Sequence, residues 1–176
     1  MINKAKILFR KVISVFLGAN ASARFQGVVF GKNCQFGKNN KFMSEPYLIR
    51  IGDNFSSSSN VNFVTHDGSM RVLRILYPEC KQSDLFGKIT IGNNVFIGVN
   101  TTILPNTVIE DNVIVGAGSI VKGTLQANGV FAGIPVKYIC SVEEYMLKNK
   151  PFFEPTKHLD AIAKREYLLA KYDIEN

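Results

Sequence analysis

Two histidines, His66 and His158, are the side chains of this sequence that titrate near neutral pH by default. An imidazole can take a proton from a hydroxyl and pass it on, so each is a candidate general base. His66 sits in Val64-Thr65-His66-Asp67-Gly68, where a regular repeat stops and a long irregular segment begins. His158 lies in a C-terminal segment outside the repeat. Three cysteines, Cys34, Cys80 and Cys140, are far apart and odd in number. They form neither a CxxC metal pattern nor a disulfide framework and read as reduced thiols of a cytoplasmic protein.

The repeat must position His66. Ile91, Ile97, Ile103, Ile109, Val115 and Val121 recur every six residues. Four positions after each stand Val95, Thr101, Thr107, Val113, Ser119 and Leu125, all small or aliphatic. Gly92, Gly98 and Gly116 follow anchors directly. A period of six fits neither a lone helix nor a hairpin. It predicts short strands joined by tight turns, one inward anchor per side. Similarity at spacing eighteen, as in Asn94 with Asn112 and Gly98 with Gly116, makes each coil three-sided. Gly and Asn tolerate the positive φ that tight corners require. Stacked coils then pair as parallel strands.

A looser copy precedes it. Phe30, Phe36 and Phe42 are six apart, and Ile51, Ser57 and Phe63 continue after a slip of three residues. That slip bears on the chemistry. Glu45 and His66 each follow a phenylalanine anchor, Phe42 or Phe63, by three positions. The anchors are twenty-one apart, three more than one coil. A bulge at Pro46–Arg50 absorbs the excess and stacks Glu45 beside His66, where a carboxylate can accept from one ring nitrogen and leave the other as base. Asp67 is the competing partner.

After His66 the repeat breaks, so residues 67–87 are expected to leave the solenoid as a loop, and loops of this length inside compact arrays are usually functional. Asp67, Arg71 and Arg74 are its candidate substrate-binding residues. Ser141-Val142-Glu143-Glu144 is a capping box opening a short helix. A second helix is expected to start at Thr156. Both would cap the solenoid's open end. The organisation is therefore residues 1–27, an N-terminal helix and lead-in; 28–140, the solenoid; and 141–176, C-terminal helices. The formal charge of +7 comes mainly from the two ends. With no basic stripe interleaved with aromatics in the middle, nucleic-acid binding is not expected. The basic start, the apolar run Val12–Leu17 and Ala21-Ser22-Ala23 superficially resemble a secretory signal, but the run is at the lower limit for one and too short for a membrane span. Ile2–Leu17 is therefore read in preference as a basic amphipathic helix, packed on the domain or making peripheral contact with a membrane surface.

Ile89–Gly98, Val115-Gly116-Ala117-Gly118-Ser119-Ile120-Val121 and the closing segment Ala132-Gly133-Ile134-Pro135-Val136-Lys137-Tyr138-Ile139 together resemble the hexapeptide-repeat acyltransferases. Glu45–Gly52 and Val64–Gly68 resemble most the sugar O-acetyltransferases of surface-polysaccharide pathways. The resemblance implies an all-β solenoid, a left-handed parallel β-helix assembled as a homotrimer, with acetyl-CoA as acyl donor and a sugar or polysaccharide precursor as acceptor. It implies His66 as the catalytic base. It also implies an oxyanion-binding N–H near Gly98 and Val99, and CoA contacts at Ala117, Lys122 and Lys137. Many relatives carry Thr-Lys where this chain has Lys122-Gly123, so the lysine stands one position earlier. N-acetylation of an amino sugar shares fold, donor and base, and is the alternative. Zinc-dependent carbonic anhydrases of the same architecture need three histidines per metal, and the solenoid region holds only His66, so no metal is expected.

Overall fold

Asparagine sets the corners. The computed structural model describes residues 18–174. In it Asn94, Asn100, Asn106 and Asn112 all have φ between 56° and 62°, and Gly118 follows at 69°. These corners are six residues apart. Asn33 and Asn39, then Asn54 and Asn60, do the same in the earlier coils. Asn is among the few residues with a side chain that enter the left-handed region at low cost. Its recurrence at every sixth position is a sequence signal as regular as the aliphatic one.

Between corners run two- to five-residue strands on three faces. The first face holds β1 (Val29–Phe30), β3 (Ile49–Ile51), β6 (Ile89–Ile91), β9 (Thr107–Ile109) and β12 (Thr124–Leu125). The second holds β4 (Ser56–Ser57), β7 (Phe96–Ile97), β10 (Ile114–Val115), β13 (Gly129–Ala132) and β14 (Lys137–Ser141). The third holds β2 (Lys41–Phe42), β5 (Asn62–Phe63), β8 (Thr102–Ile103) and β11 (Ile120–Val121). All pairings are parallel except β13 with β14, where the chain doubles back. Val115 stacks on Ile97 and Val121 on Ile103, the expected eighteen-residue register.

One repeat is shorter than expected. Leu125 pairs with Ile109, sixteen residues away, so it is a strand anchor and not the companion position inferred from spacing. The turn before it, Lys122-Gly123, has lost two residues, and Gly123 takes φ 83° to make it. The other companions, Val95, Thr101, Thr107, Val113 and Ser119, are buried. Their hydroxyls are satisfied by main chain, as in Ser119 Oγ to Gly116 O at 2.7 Å.

The core runs down the axis, aromatic through the first coils, aliphatic from Ile89 to Leu125, and closed by Phe131 on the last coil. Phe36 meets Phe30 and Phe42 edge-on at 5.0 and 5.5 Å, and Phe42 stacks on Phe63 at 5.0 Å. Phe63 is fully buried, whereas Phe96 points outward. Phe63→Ala is expected to cost about 3–5 kcal/mol, through lost burial plus a cavity the stacked coils cannot close. Phe96→Ala should stay within about 1 kcal/mol. Urea midpoints of the two variants check this; equal shifts would refute it.

Helix α1, residues 18–26, closes the first coil. Asn20 donates to Cys34 O and accepts from Phe36 N, groups that a further coil would otherwise pair. Arg24 lies 3.9 Å over the Phe30 ring. The helix expected at Ile2–Leu17 lies outside the described residues. Among the described residues no helix is long and apolar enough to cross a membrane.

The segment 67–87 leaves the solenoid but is not irregular throughout. It contains α2 (Met70–Leu76) and a 3-10 turn at Pro78–Cys80. Met70 is buried, and Arg74 pairs with Asp84 while donating to Ser83 O. Helix α3 (Val142–Asn149) begins with the expected reciprocal box, Ser141 N to Glu144 Oε2 at 2.7 Å and Glu144 N to Ser141 Oγ at 3.0 Å. From Met146 on the chain forms a second compact unit. Its helix α4 (Ala161–Lys171) starts later than expected, because Asp160 and not Thr156 is the N-cap, accepting from Ile162 N and Ala163 N.

Candidate functional site

His66 sits at the point where the third face gives way to the excursion. Val64 N still donates to Ile103 O in the ladder. Gly87 N then returns to Thr65 O, and His66 bridges Phe86, their rings 5.0 Å apart. The chain thus leaves and re-enters the solenoid on either side of His66, which fixes its backbone while the half-buried imidazole faces a cleft of about 330 Å³. Asp67, Leu104, Asn106 and Lys122 line that cleft with it. The Ser69 N–H, 2.9 Å from Asp67 Oδ1, and the Ser69 hydroxyl hold the Asp67 carboxyl below its ordinary range, with smaller contributions from the charges of Lys122 and His66.

The slip lies where the anchor arithmetic puts it. Phe42 pairs with Phe63, and the three extra residues form a 3-10 turn at Pro46–Leu48. Glu45 therefore does lie on the coil beside His66, but it makes no hydrogen bond to the ring. Ser44 does: its Oγ is 3.4 Å from His66 Nδ1 and donates to Glu45 Oε2 at 2.7 Å. Buried Thr65 donates to the same carboxylate oxygen at 3.3 Å. Ser44 escaped the sequence reading because the repeat arithmetic selects one position per coil. Which of two neighbours reaches the ring depends on how the chain turns into Pro46.

A second group lies on another edge of the prism, between the second and third faces. A Cβ on Gly98 would come 2.5 Å from Ala117 N, so these two turns touch main chain to main chain and only glycine fits. Gly116 abuts Ala132, and Ala132 pairs with Lys137. Gly98, Ala117 and Lys137 therefore stack along one edge. Gly98 N is committed to Val115 O at 2.8 Å. The Val99 amide, at the exposed corner, is the one outside the ladder. Lys122 stands on the His66 edge. Arg71 is exposed on α2 and Arg74 is engaged with Asp84; neither lines the cleft. The histidine group and the glycine edge are thus on different corners of the same solenoid. Among the described residues no cluster of His, Cys, Asp and Glu suits a metal ion.

Residues 88–123 match the bacterial transferase hexapeptide (six repeats) family. The chain is 43% identical over 169 residues to Protein CapG of Staphylococcus aureus, covering 95% of this chain and 96% of that one. It is 35% identical over 122 residues to the galactoside O-acetyltransferase of Escherichia coli, covering 65% of this chain and 57% of that protein. The crystal structure of a maltose O-acetyltransferase from Clostridium difficile superposes with a TM-score of 0.54 at 25% identity, over 72% of this chain and 75% of that one. The parallel three-faced coil is accordingly a left-handed β-helix. By near full-length similarity and by its repeats, the chain belongs to the bacterial hexapeptide-repeat transferase family.

Proposed function

We propose that this protein is an acetyl-CoA-dependent O-acetyltransferase acting on a sugar hydroxyl, in surface-polysaccharide biosynthesis. The observation that carries the reading is His66, half-buried at the head of a cleft with Nδ1 hydrogen-bonded. The galactoside and maltose O-acetyltransferases among the similar proteins support the acceptor class. His66 Nε2 takes the proton of the acceptor hydroxyl as its oxygen attacks the thioester carbonyl. The Val99 N–H is the donor proposed for the oxyanion. Collapse forms the sugar ester and releases the thiolate, which takes from the imidazolium the proton that came from the acceptor hydroxyl. No covalent enzyme intermediate is needed.

The working unit is a homotrimer with each site between two subunits. The support is topological: one chain holds His66 and the Gly98–Ala117 edge on different corners, and a neighbouring copy can bring the two together. Three free cysteines fit a reducing, cytoplasmic location.

Incubating the protein with acetyl-CoA and a panel of sugars tests the activity. The expected product is an alkali-labile ester on a neutral sugar. An alkali-stable amide formed only on amino sugars would shift the reading to N-acetylation. No transfer to any sugar, with no rise in melting temperature on adding acetyl-CoA, would refute it.

Lys137 is the proposed contact for the nucleotide phosphates. Lys137→Glu is expected to raise KM for acetyl-CoA about fivefold while barely moving KM for the sugar, as befits reversing one exposed charge. Initial rates with acetyl-CoA and acetyl-pantetheine check this. Equal KM values for the two donors in the unaltered enzyme would mean that no phosphate contact matters.

A further inference from the structure

We propose that Ser44 is the positioning residue that sets the tautomer of His66, acting as a hydroxyl relay between the ring and the Glu45 carboxylate. The inference rests on His66 being the base. A serine hydroxyl has one hydrogen. That hydrogen is committed to Glu45 Oε2 at 2.7 Å. Toward His66 Nδ1, 3.4 Å away, Ser44 Oγ can therefore only accept. The ring must place its proton on Nδ1, which leaves the Nε2 lone pair free for the acceptor hydroxyl. The direction of the relay is imposed by the carboxylate, which accepts only. Thr65, buried, donates to the same oxygen and holds the carboxylate in place. The relay also acts after proton transfer. The imidazolium donates from Nδ1 to an oxygen whose own dipole is aligned by the negative charge behind it. The 3.4 Å separation is at the long end for a hydrogen bond, as catalytic hydrogen bonds often are without substrate.

The other groups facing the ring do not do this. Phe86 supplies a ring face. Asp67 has its Oδ1 engaged by the Ser69 N–H, and Lys122 is a cation across the cleft. Neither has a hydrogen bond to Nδ1. Glu45→Gln has a distinctive consequence. Its amide can donate to Ser44 Oγ, which frees the serine hydrogen to turn toward Nδ1 and favours the wrong tautomer.

The test uses the full chain labelled with 15N-histidine. Two histidines give two signal sets, and His158→Gln assigns them. Long-range 1H–15N spectra of the neutral ring should show Nδ1–H and an unprotonated Nε2 for His66. Ser44→Ala and Glu45→Gln should shift it toward Nε2–H, and Ser44→Thr should retain the original form. In acetyl-CoA turnover followed by thiol release, Ser44→Ala should lower kcat about tenfold with KM for acetyl-CoA within about twofold. The acid limb of its kcat/KM profile should move to lower pH, because the cationic ring has lost its acceptor. Ser44→Thr should recover both. A wild-type His66 protonated on Nε2 would overturn the relay. So would a Ser44→Ala variant with unchanged tautomer and profile, whatever its stability. An active His66→Ala enzyme would instead remove the proposed function, while the spectra would still decide the relay.

Discussion

His66→Ala lowers kcat at least about a hundredfold and leaves CoA binding and melting temperature nearly unchanged. The size follows from removing a positioned general base, which contributes about 10²–10⁴-fold. The selectivity follows from location. The imidazole is only half-buried and packs against Phe86 at the mouth of the excursion, outside the apolar core. Truncation removes one ring contact and one long hydrogen bond from the surface. The Gly98–Ala117 edge, proposed to receive the donor, is on another corner and is untouched. Steady-state kinetics with acetyl transfer to a sugar, together with CoA titration by calorimetry, separate the two effects. A variant retaining a tenth or more of wild-type kcat would show that the proton is taken elsewhere. A fall in both kcat and CoA affinity would place His66 in the donor site.

The second large effect is recovery of activity from two inactive proteins. Ala117→Trp should be inactive, because a bulky side chain on the exposed turn against Gly98 blocks the glycine edge. His66→Ala is inactive for lack of a base. If each site takes its histidine from one subunit and its glycine edge from the next, mixed trimers contain intact sites. A site is whole when the first subunit is the Ala117→Trp variant and the second the His66→Ala variant. With random equal mixing that holds for about a quarter of sites in a closed cyclic trimer. Refolding the two variants together should therefore give about a quarter of wild-type activity, where each alone gives almost none. A site built within one chain predicts no recovery, since every chain carries a defect. Light scattering that finds a monomer at micromolar concentration would refute the shared site independently.

Much of this protein was readable because a β-helix is a one-dimensional object. Each six-residue step contributes one inward anchor, so the spacing of Ile91 through Val121 already encodes strand, corner and register. The same arithmetic placed the excursion after His66 and the slip after Glu45. It failed wherever a local choice depends on a neighbour in space. Leu125 continues the series by type, yet the short Lys122-Gly123 turn makes it an anchor one face on. The helix within 67–87 carries no repeat, and Met70 holds it by burial. Thr156 and Asp160 are both competent caps by residue type, and the side-chain oxygen that faces free N–H groups decides between them.

The sequence by itself determined the three-faced coil and which coil carries the histidine, because those follow from chain periodicity and covalent spacing alone. Only the tertiary structure decided that Ser44 and not Glu45 touches the ring, that Lys122 stands with His66, and that the glycine edge lies on a different corner. Periodicity fixes where Cα atoms fall along the coil. Which side chain reaches a given atom depends on how three-residue turns such as Pro46–Leu48 aim the chain, at a scale of one ångström that spacing does not resolve.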